Sequence, residues 1–431
     1  MKKQLALELL DFINVSPTAY HATNTVKQYV EKRGFKKIKE NEKWNLDKRG
    51  KYYVEKNNSA IIAFEVGTGD IIENGFRIIG AHTDAPSFKI KPSAEMNVEN
   101  KYVKLNTEVY GGPILSTWFD RPLSLAGRVV VKGKTALNPE VKLVDINKPL
   151  LIIPNIAIHM NRGVNDGYAF NAQKDTLPLL GFINEKFEKE EYLLTVLSEN
   201  LNVDKKDILD FDLFLYEYEK GCLIGLEEEL ISSSRLDDLC MLFSALKGLT
   251  DSKENKATKV LIAIDNEEIG SLTAQGARST FIKTTLERIA LALGKNREEF
   301  FITLNNSSMI SSDVAHAVHP NQGDKCDPTN RPILGGGPVI KIAASGSYST
   351  DSFASAVFQS VCKQAEVPCQ KFVNRSDMRG GTTIGPMSAA DLGIPVMDIG
   401  TPLLAMHSVR ELGSVDDNYY TTKAFTEFYN L

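Results

Sequence analysis

Five cysteines in 431 residues, an odd number with no CxxC pair among them, offer neither a disulfide framework nor a thiolate metal site. Reduced thiols in a cytoplasmic protein are the simple reading. Long apolar runs are also missing: no stretch approaches the roughly 20 residues that would span a bilayer. Basic blocks are missing too. The formal net charge is -5 and no Lys/Arg cluster exceeds a few residues, so the concentrated basic face of a nucleic-acid binder is absent. Repeats and low-complexity segments are not found.

What is present is an ordinary globular composition. Hydrophobic residues at 42% and charged residues at 24% describe a chain that can bury a core, and its length suggests two or three domains. The N-terminal MKKQLALELLDFIN opens basic and then apolar. Glu8 and Asp11 interrupt the run and no small-residue cleavage site follows, so no signal peptide is expected. Leu5, Leu9, Phe12 and Ile13 instead form a helical stripe.

The first 92 residues carry an α/β rhythm. Helical patterns cover about 3 to 14 and 22 to 33, followed by strand-like AIIAFEV and FRIIGAH. After Pro92 the texture changes to short β-type runs separated by Gly, Pro and Asn, such as NVENKYVKLNTEVYGG and SLAGRVVVKG. From about Ser232 the α/β rhythm returns, with strands expected at KVLIAID, FFITLN, PVIKIAA and IPVMDIG. The expected architecture is an α/β domain made of 1-92 and 232-431, its mixed sheet sandwiched by helices and interrupted by a β-rich insertion at 93-231.

The chemistry gathers where apolar runs end. IIGAHTDAP delivers His82 and Asp84, and SSSRLDDL delivers Asp237 and Asp238 after serines expected to cap a helix. LIAIDNEEIG delivers Asp265, Glu267 and Glu268, MISSDVAHAVHPN delivers Asp313, His316 and His319, and LLAMHSVRE delivers His407. In open α/β sheets, ligands collect beyond the carboxyl ends of strands. Imidazoles and carboxylates without thiolates describe a hydrolytic divalent-metal site, zinc first. Each piece alone has a duller reading: HxD as a structural histidine, EE as a solvated face, DD as a helix start. His316 and His319 with Cys326 nearby lack a fourth ligand for a structural zinc site.

Together these segments resemble the aspartyl aminopeptidases and vacuolar aminopeptidase I, co-catalytic zinc exopeptidases. HTDAP looks like that family's HTDSP with Ala85 for serine, and SRLDD is similar to SRLDN with Asp238 for asparagine. Asp265 opens a D-x-E-E-[IV]-G-S element, SSDVAHAVHPN resembles D-M-A-H-A-x-H-P-N, and GPVIK, GGTTIGP and MHSVRE match further blocks.

The resemblance implies that His82, Glu268, Asp313 and His407 ligate two divalent ions (zinc, with manganese or cobalt as alternatives) and that Asp237 bridges them. Glu267 would be the general base of a metal-bridging hydroxide, and Asp84 would fix the tautomer of His82. The insertion would be a dimerisation domain in which AIHMNR carries His159 to the partner's site, within a tetrahedral dodecamer built from dimers.

Short peptides are then the expected partners, with nucleic acid and membranes excluded. N-terminal Asp or Glu is the expected preference, with Lys341 in GPVIK as a cation for the acidic side chain; Arg375 and Arg379 are other candidates. AASGSYST, after GPVIK, departs from the Asn- and Gln-containing run expected there. A neutral, Leu-type preference is one alternative, and a catalytically silent oligomeric scaffold or cargo protein is another.

Overall fold

A computed structural model describes residues 1–183 and 191–431. It divides into two compact units, Met1–Asp84 with Gly221–Met406 and Glu411–Leu431, and Ala85–Lys220 with His407–Arg410.

The first unit is built on a nine-stranded sheet among the described residues. Its centre runs, in spatial order, Ala60–Glu65, Thr258–Ile264, Phe76–His82, Ser308–Ser312 and Val396–Gly400. The last four of these are mutually parallel, and Ala60–Glu65 lies antiparallel to Thr258–Ile264. Side chains on a strand alternate between faces, and a strand covered on both sides reads as an unbroken apolar run.

Both statements hold here. Ile61, Ala63, Leu261 and Ala263 enter one core with helices Lys2–Asn14, Ala19–Glu31, Leu236–Asp251, Ser352–Gln364 and Val415–Asn430. Ile62, Phe64, Val260 and Ile262 enter a second core with Phe281–Ala292, Arg297–Asn305 and Ile384–Leu392. The sheet is mixed and flanked by helices on both faces, as the sequence leads one to expect. No helix among the described residues is long and apolar enough to cross a membrane.

One strand is misplaced by the sequence reading. FFITLN lies in helix Arg297–Asn305, and the strand follows it at Ser308–Ser312. A reciprocal capping box decides the matter: the Asn296 side chain accepts from Glu299 N–H, and the Glu299 carboxylate accepts from Asn296 N–H. The serines at 232–234 do not cap the following helix either; its N-cap is Arg235, in the left-handed region at φ 56.

The second unit carries a six-stranded antiparallel sheet in the order Asn138–Asp145, Leu123–Thr135, Ile208–Glu217, Ser87–Val98, Tyr102–Tyr110 and Leu179–Phe182. Helix Tyr192–Leu201 contributes Leu193 and Leu197 to its core beside Phe88, Trp118 and Leu213.

The units divide at 84/85 and 220/221, not at 92/93 and 231/232. Pro92 does not end a domain: strand Ser87–Val98 continues through it, and the irregularity in pairing between Ile90 and Glu95 accommodates the missing N–H. Downstream, Cys222–Ile224 and Leu230–Ser233 pair with Glu411–Ser414 in a three-stranded sheet of the first unit.

His407–Arg410 belongs to the second unit. Ile114 N–H donates to the His407 carbonyl at 2.9 Å, and Val409 N–H donates to Thr117 Oγ1 at 2.9 Å. Arg410 and Arg121 both donate to buried Glu217, at 2.8 and 2.6 Å. Glu217→Ala removes the carboxylate that two guanidiniums share, and loss of one partner of a buried pair costs about 3 kcal/mol. Urea unfolding should show that loss, with Arg410→Lys costing less.

Candidate metal centre

The carboxyl ends of three parallel strands assemble most of the site. His82 ends Phe76–His82 and sits in register with Ile264, the end of Thr258–Ile264. Glu267 and Glu268 follow Ile264 through Asn266, which takes the left-handed conformation at φ 63, one of the few non-glycine residues suited to it. Asp313 follows Ser308–Ser312. Asp237 comes from the opposite direction, at the start of Leu236–Asp251, where the Asp237–Asp238 peptide is cis.

Asp84 organises this set. Its Oδ1 lies 3.3 Å from His82 Nδ1, and its two carboxylate oxygens accept the N–H groups of Glu267 and Glu268, each at 3.2 Å. One buried carboxylate thus sets both the ring of His82 and the turn that presents the paired glutamates. With Nδ1 turned to Asp84, His82 Nε2 faces Asp237 Oδ1 at 3.3 Å. The Asp237 N–H is held by Glu411 Oε2 at 2.9 Å.

Donor atoms of His82, Asp237, Asp238 and Asp313 lie within 4.8 Å of one another, as do those of His82, Glu267 and Glu268. Asp238 stands closer to the centre than the sequence suggests. It is fully buried, and its Oδ2 accepts His82 N–H at 3.0 Å. The sequence signal was the second aspartate of SRLDD. Glu411 was missed altogether, since a glutamate beside the arginine of MHSVRE looks like half of a surface pair.

Electrostatically the cluster is overloaded with negative charge. Burial, reinforced by Asp313, Asp84 and Asp237 and opposed by His82, pushes Glu267 up to about 8. Burial also raises Asp238 well above the carboxylate range, with Asp313 and Asp237 adding to it. For His82 burial works downward, but Asp238, Asp237 and Asp84 outweigh it and hold the imidazole well above its ordinary value.

Asp238 Oδ1 is buried with no hydrogen-bond partner among the described residues. Buried carboxylates that repel one another around a single imidazole, with an unsatisfied oxygen among them, are the surroundings that a hard divalent cation stabilises. Carboxylate oxygens with imidazole nitrogen and no sulfur suit zinc, and manganese or cobalt as well.

The other expected residues have the following surroundings. Lys341 is buried beside Asp313, with Nζ 3.3 Å from Oδ2 and donating to the Val314 carbonyl at 3.0 Å. In the second unit His407 has Nδ1 3.0 Å from the Gly112 carbonyl. Also there, His159 is exposed among the exposed Ile156, Ile158 and Met160. His316 packs edge-on against Phe372, and His319 Nδ1 accepts Asn321 N–H, so neither joins the donor groups. Arg375 pairs with Asp377 on the surface.

The sheet and the donor set define a metal-dependent hydrolase. Residues 12–429 match the family described as aminopeptidase I zinc metalloprotease (M18). The chain belongs to that family and is a metal-dependent aminopeptidase.

It is 62% identical over 430 residues to a probable M18 family aminopeptidase 2 of Clostridium novyi (strain NT), covering 100% of this chain and 99% of that one. Among solved structures, one titled as a complex of Ape4 and Nbr1 superposes with a TM-score of 0.96 at 39% identity, covering 100% of this chain and 86% of that chain. Another, titled as the S. cerevisiae mApe1 dodecamer, gives 0.86 at 26% identity, covering 98% and 96%.

Proposed function

We propose that the chain hydrolyses the first peptide bond of short peptides with a preference for N-terminal Asp or Glu. Five residues would hold two divalent ions: Asp237 between them, with His82, Asp313, Glu268 and His407 as the other ligands. Bound there, the ions would polarise the scissile carbonyl and lower the pKa of a shared water. Glu267 would take the proton of that water and return it to the leaving amine. Asp84 would keep His82 in the tautomer that leaves Nε2 unprotonated toward the metal side.

The observation that carries this reading is the double use of Asp84. The same carboxylate that orients His82 fixes the backbone of both glutamates, so a proposed ligand and the neighbouring base move as one block. Burial pushes the Glu267 carboxyl upward from its ordinary range, which suits it to accepting and returning a proton.

His159 would reach a neighbouring subunit's site and donate to the developing oxyanion. The exposed isoleucines and methionine around it support an intersubunit contact. The homo-oligomer would be assembled from dimers and work in the cytoplasm; the dodecamer of the S. cerevisiae relative supports the oligomer. For the acidic preference, Lys341 supplies a buried cation next to a proposed ligand. An ammonium–carboxylate pair out of water discriminates strongly.

A panel of Asp-, Glu- and Leu-p-nitroanilide, run on chelated protein with zinc, manganese or cobalt restored singly, tests the proposal. Turnover should return only with metal. kcat/KM for Asp and Glu should exceed that for Leu by at least about tenfold, and Lys341→Gln should remove most of that margin. A faster Leu substrate assigns the neutral-residue alternative.

A further inference from the structure

Lys341 has a second carboxylate facing it, on a strand that the sequence reading used only as a scaffold. Val339–Ile342 runs antiparallel to Val396–Gly400, with Val339 opposite Gly400 and Ile340 opposite Ile399. That register sets Lys341 directly opposite Asp398. Residues opposed in this way share one face of the sheet with Cβ atoms roughly 5 Å apart. Both side chains are buried, at 2% and 0% exposure, so solvent screens neither charge.

Asp398 is also the point where two loops meet. Ser349 N–H donates to its Oδ2, at 2.5 Å, and the Thr383 hydroxyl donates to its Oδ1. Its own N–H donates to Thr350 Oγ1 at 2.7 Å. Two donors and the cross-strand ammonium favour the charged form of this carboxylate, while burial opposes it and leaves its pKa raised. The second loop leaves no spare room: a Cβ at Gly385 would stand 2.3 Å from Asp398 Oδ1.

We propose that Asp398 is a specificity-determining residue whose charge acts on Lys341 across the sheet and competes with an acidic substrate side chain for its ammonium, which sets how strongly the enzyme prefers N-terminal Asp and Glu. This rests on the reading of Lys341 given above. The two carboxylates beside Lys341 are not equivalent. Asp313 is a proposed metal ligand, so its charge is directed to the ion when one is bound. Asp398, on the neighbouring strand, is no proposed ligand, and its charge acts on Lys341 whether or not an ion is bound. An incoming aspartate or glutamate side chain gains only what Lys341 does not already have from Asp398. Removing one like charge at that range changes the preference for the charged ligand by about tenfold.

Kinetics on the metal-loaded protein decide the matter, using Asp- and Leu-p-nitroanilide with wild type, Asp398→Asn, Asp398→Glu and Lys341→Gln. Asp398→Asn should raise the Asp-to-Leu ratio of kcat/KM by about tenfold, carried by a lower KM for the acidic substrate. Asp398→Glu, which restores the charge, should return the ratio toward wild type; a purely structural role would move both variants alike.

An unchanged or lowered ratio in Asp398→Asn, with Lys341→Gln still abolishing the preference, overturns the proposal and leaves the Lys341 reading standing. An unchanged ratio in Lys341→Gln removes that reading and this proposal with it. Should the Asn variant fail to fold, Asp398→Ser takes its place, with the same ratio deciding.

Discussion

Glu267→Gln is expected to lower kcat by roughly 10²- to 10⁴-fold, the range that general acid–base catalysis contributes, while bound metal remains at the wild-type level. The amide keeps the shape of the side chain, and the turn that carries it is held from outside by Asp84 through the N–H groups of residues 267 and 268. Geometry should therefore survive and only the proton acceptor be lost. Steady-state kinetics together with elemental analysis of the purified variant separate the two quantities. Full activity with metal still bound would remove Glu267 from the role of base. Glu268→Ala makes the contrast: one residue away, the loss should appear in metal content first.

Asp237→Ala should be more damaging still. In the proposed arrangement this carboxylate serves both ions, and its removal is expected to take metal content from about two per chain to below about one, with loss of turnover. Thermal stability supplies a second readout. A ligand present at a hundredfold over its Kd stabilises the folded state by about 2.7 kcal/mol, so zinc should raise the Tm of chelated wild type and leave the variant almost unmoved.

The metal-free proteins should rank the other way. Asp237 lies among Asp238, Asp313 and Glu267, and withdrawing one negative charge from that cluster relieves repulsion. A variant that is simply unfolded would show neither behaviour. A zinc-induced Tm shift equal to that of wild type would exclude Asp237 from the ligand set.

The legible part of the sequence was local. Val260–Ile264 announces a strand buried on both faces by its unbroken apolar run, and the residues after it announce a turn at its carboxyl end. The same logic placed His82 and Asp313, because a buried strand ending in a polar residue leaves that residue at the carboxyl end of the sheet.

Reasoning failed where a local pattern was outvoted. FFITLN has the composition of a strand, yet Asn296 and Glu299 cap it as a helix before its apolar residues are reached. Pro92 looks like a boundary, but an irregular stretch of strand pairing absorbs it. Asp238 and Glu411 were hidden for a different reason. Both act through backbone groups, on His82 N–H and Asp237 N–H, and contacts of that sort leave no spacing rule in the chain.

The sheet order has a consequence for how the protein is made. Strands Ala60–Glu65 and Phe76–His82 are near neighbours in sequence, but Thr258–Ile264 lies between them in space. During translation the first two leave the ribosome long before the strand that separates them, and before Ser308–Ser312, which covers the far side of Phe76–His82. They cannot reach their final pairing by zipping together as a hairpin. An open slot with unpaired edges on apolar strands must persist until residues beyond 300 emerge, the kind of nascent intermediate that chaperones hold and that aggregates without them. Low temperature and slow induction should therefore improve the soluble yield of this chain, and fragments ending before residue 258 should be recovered insoluble.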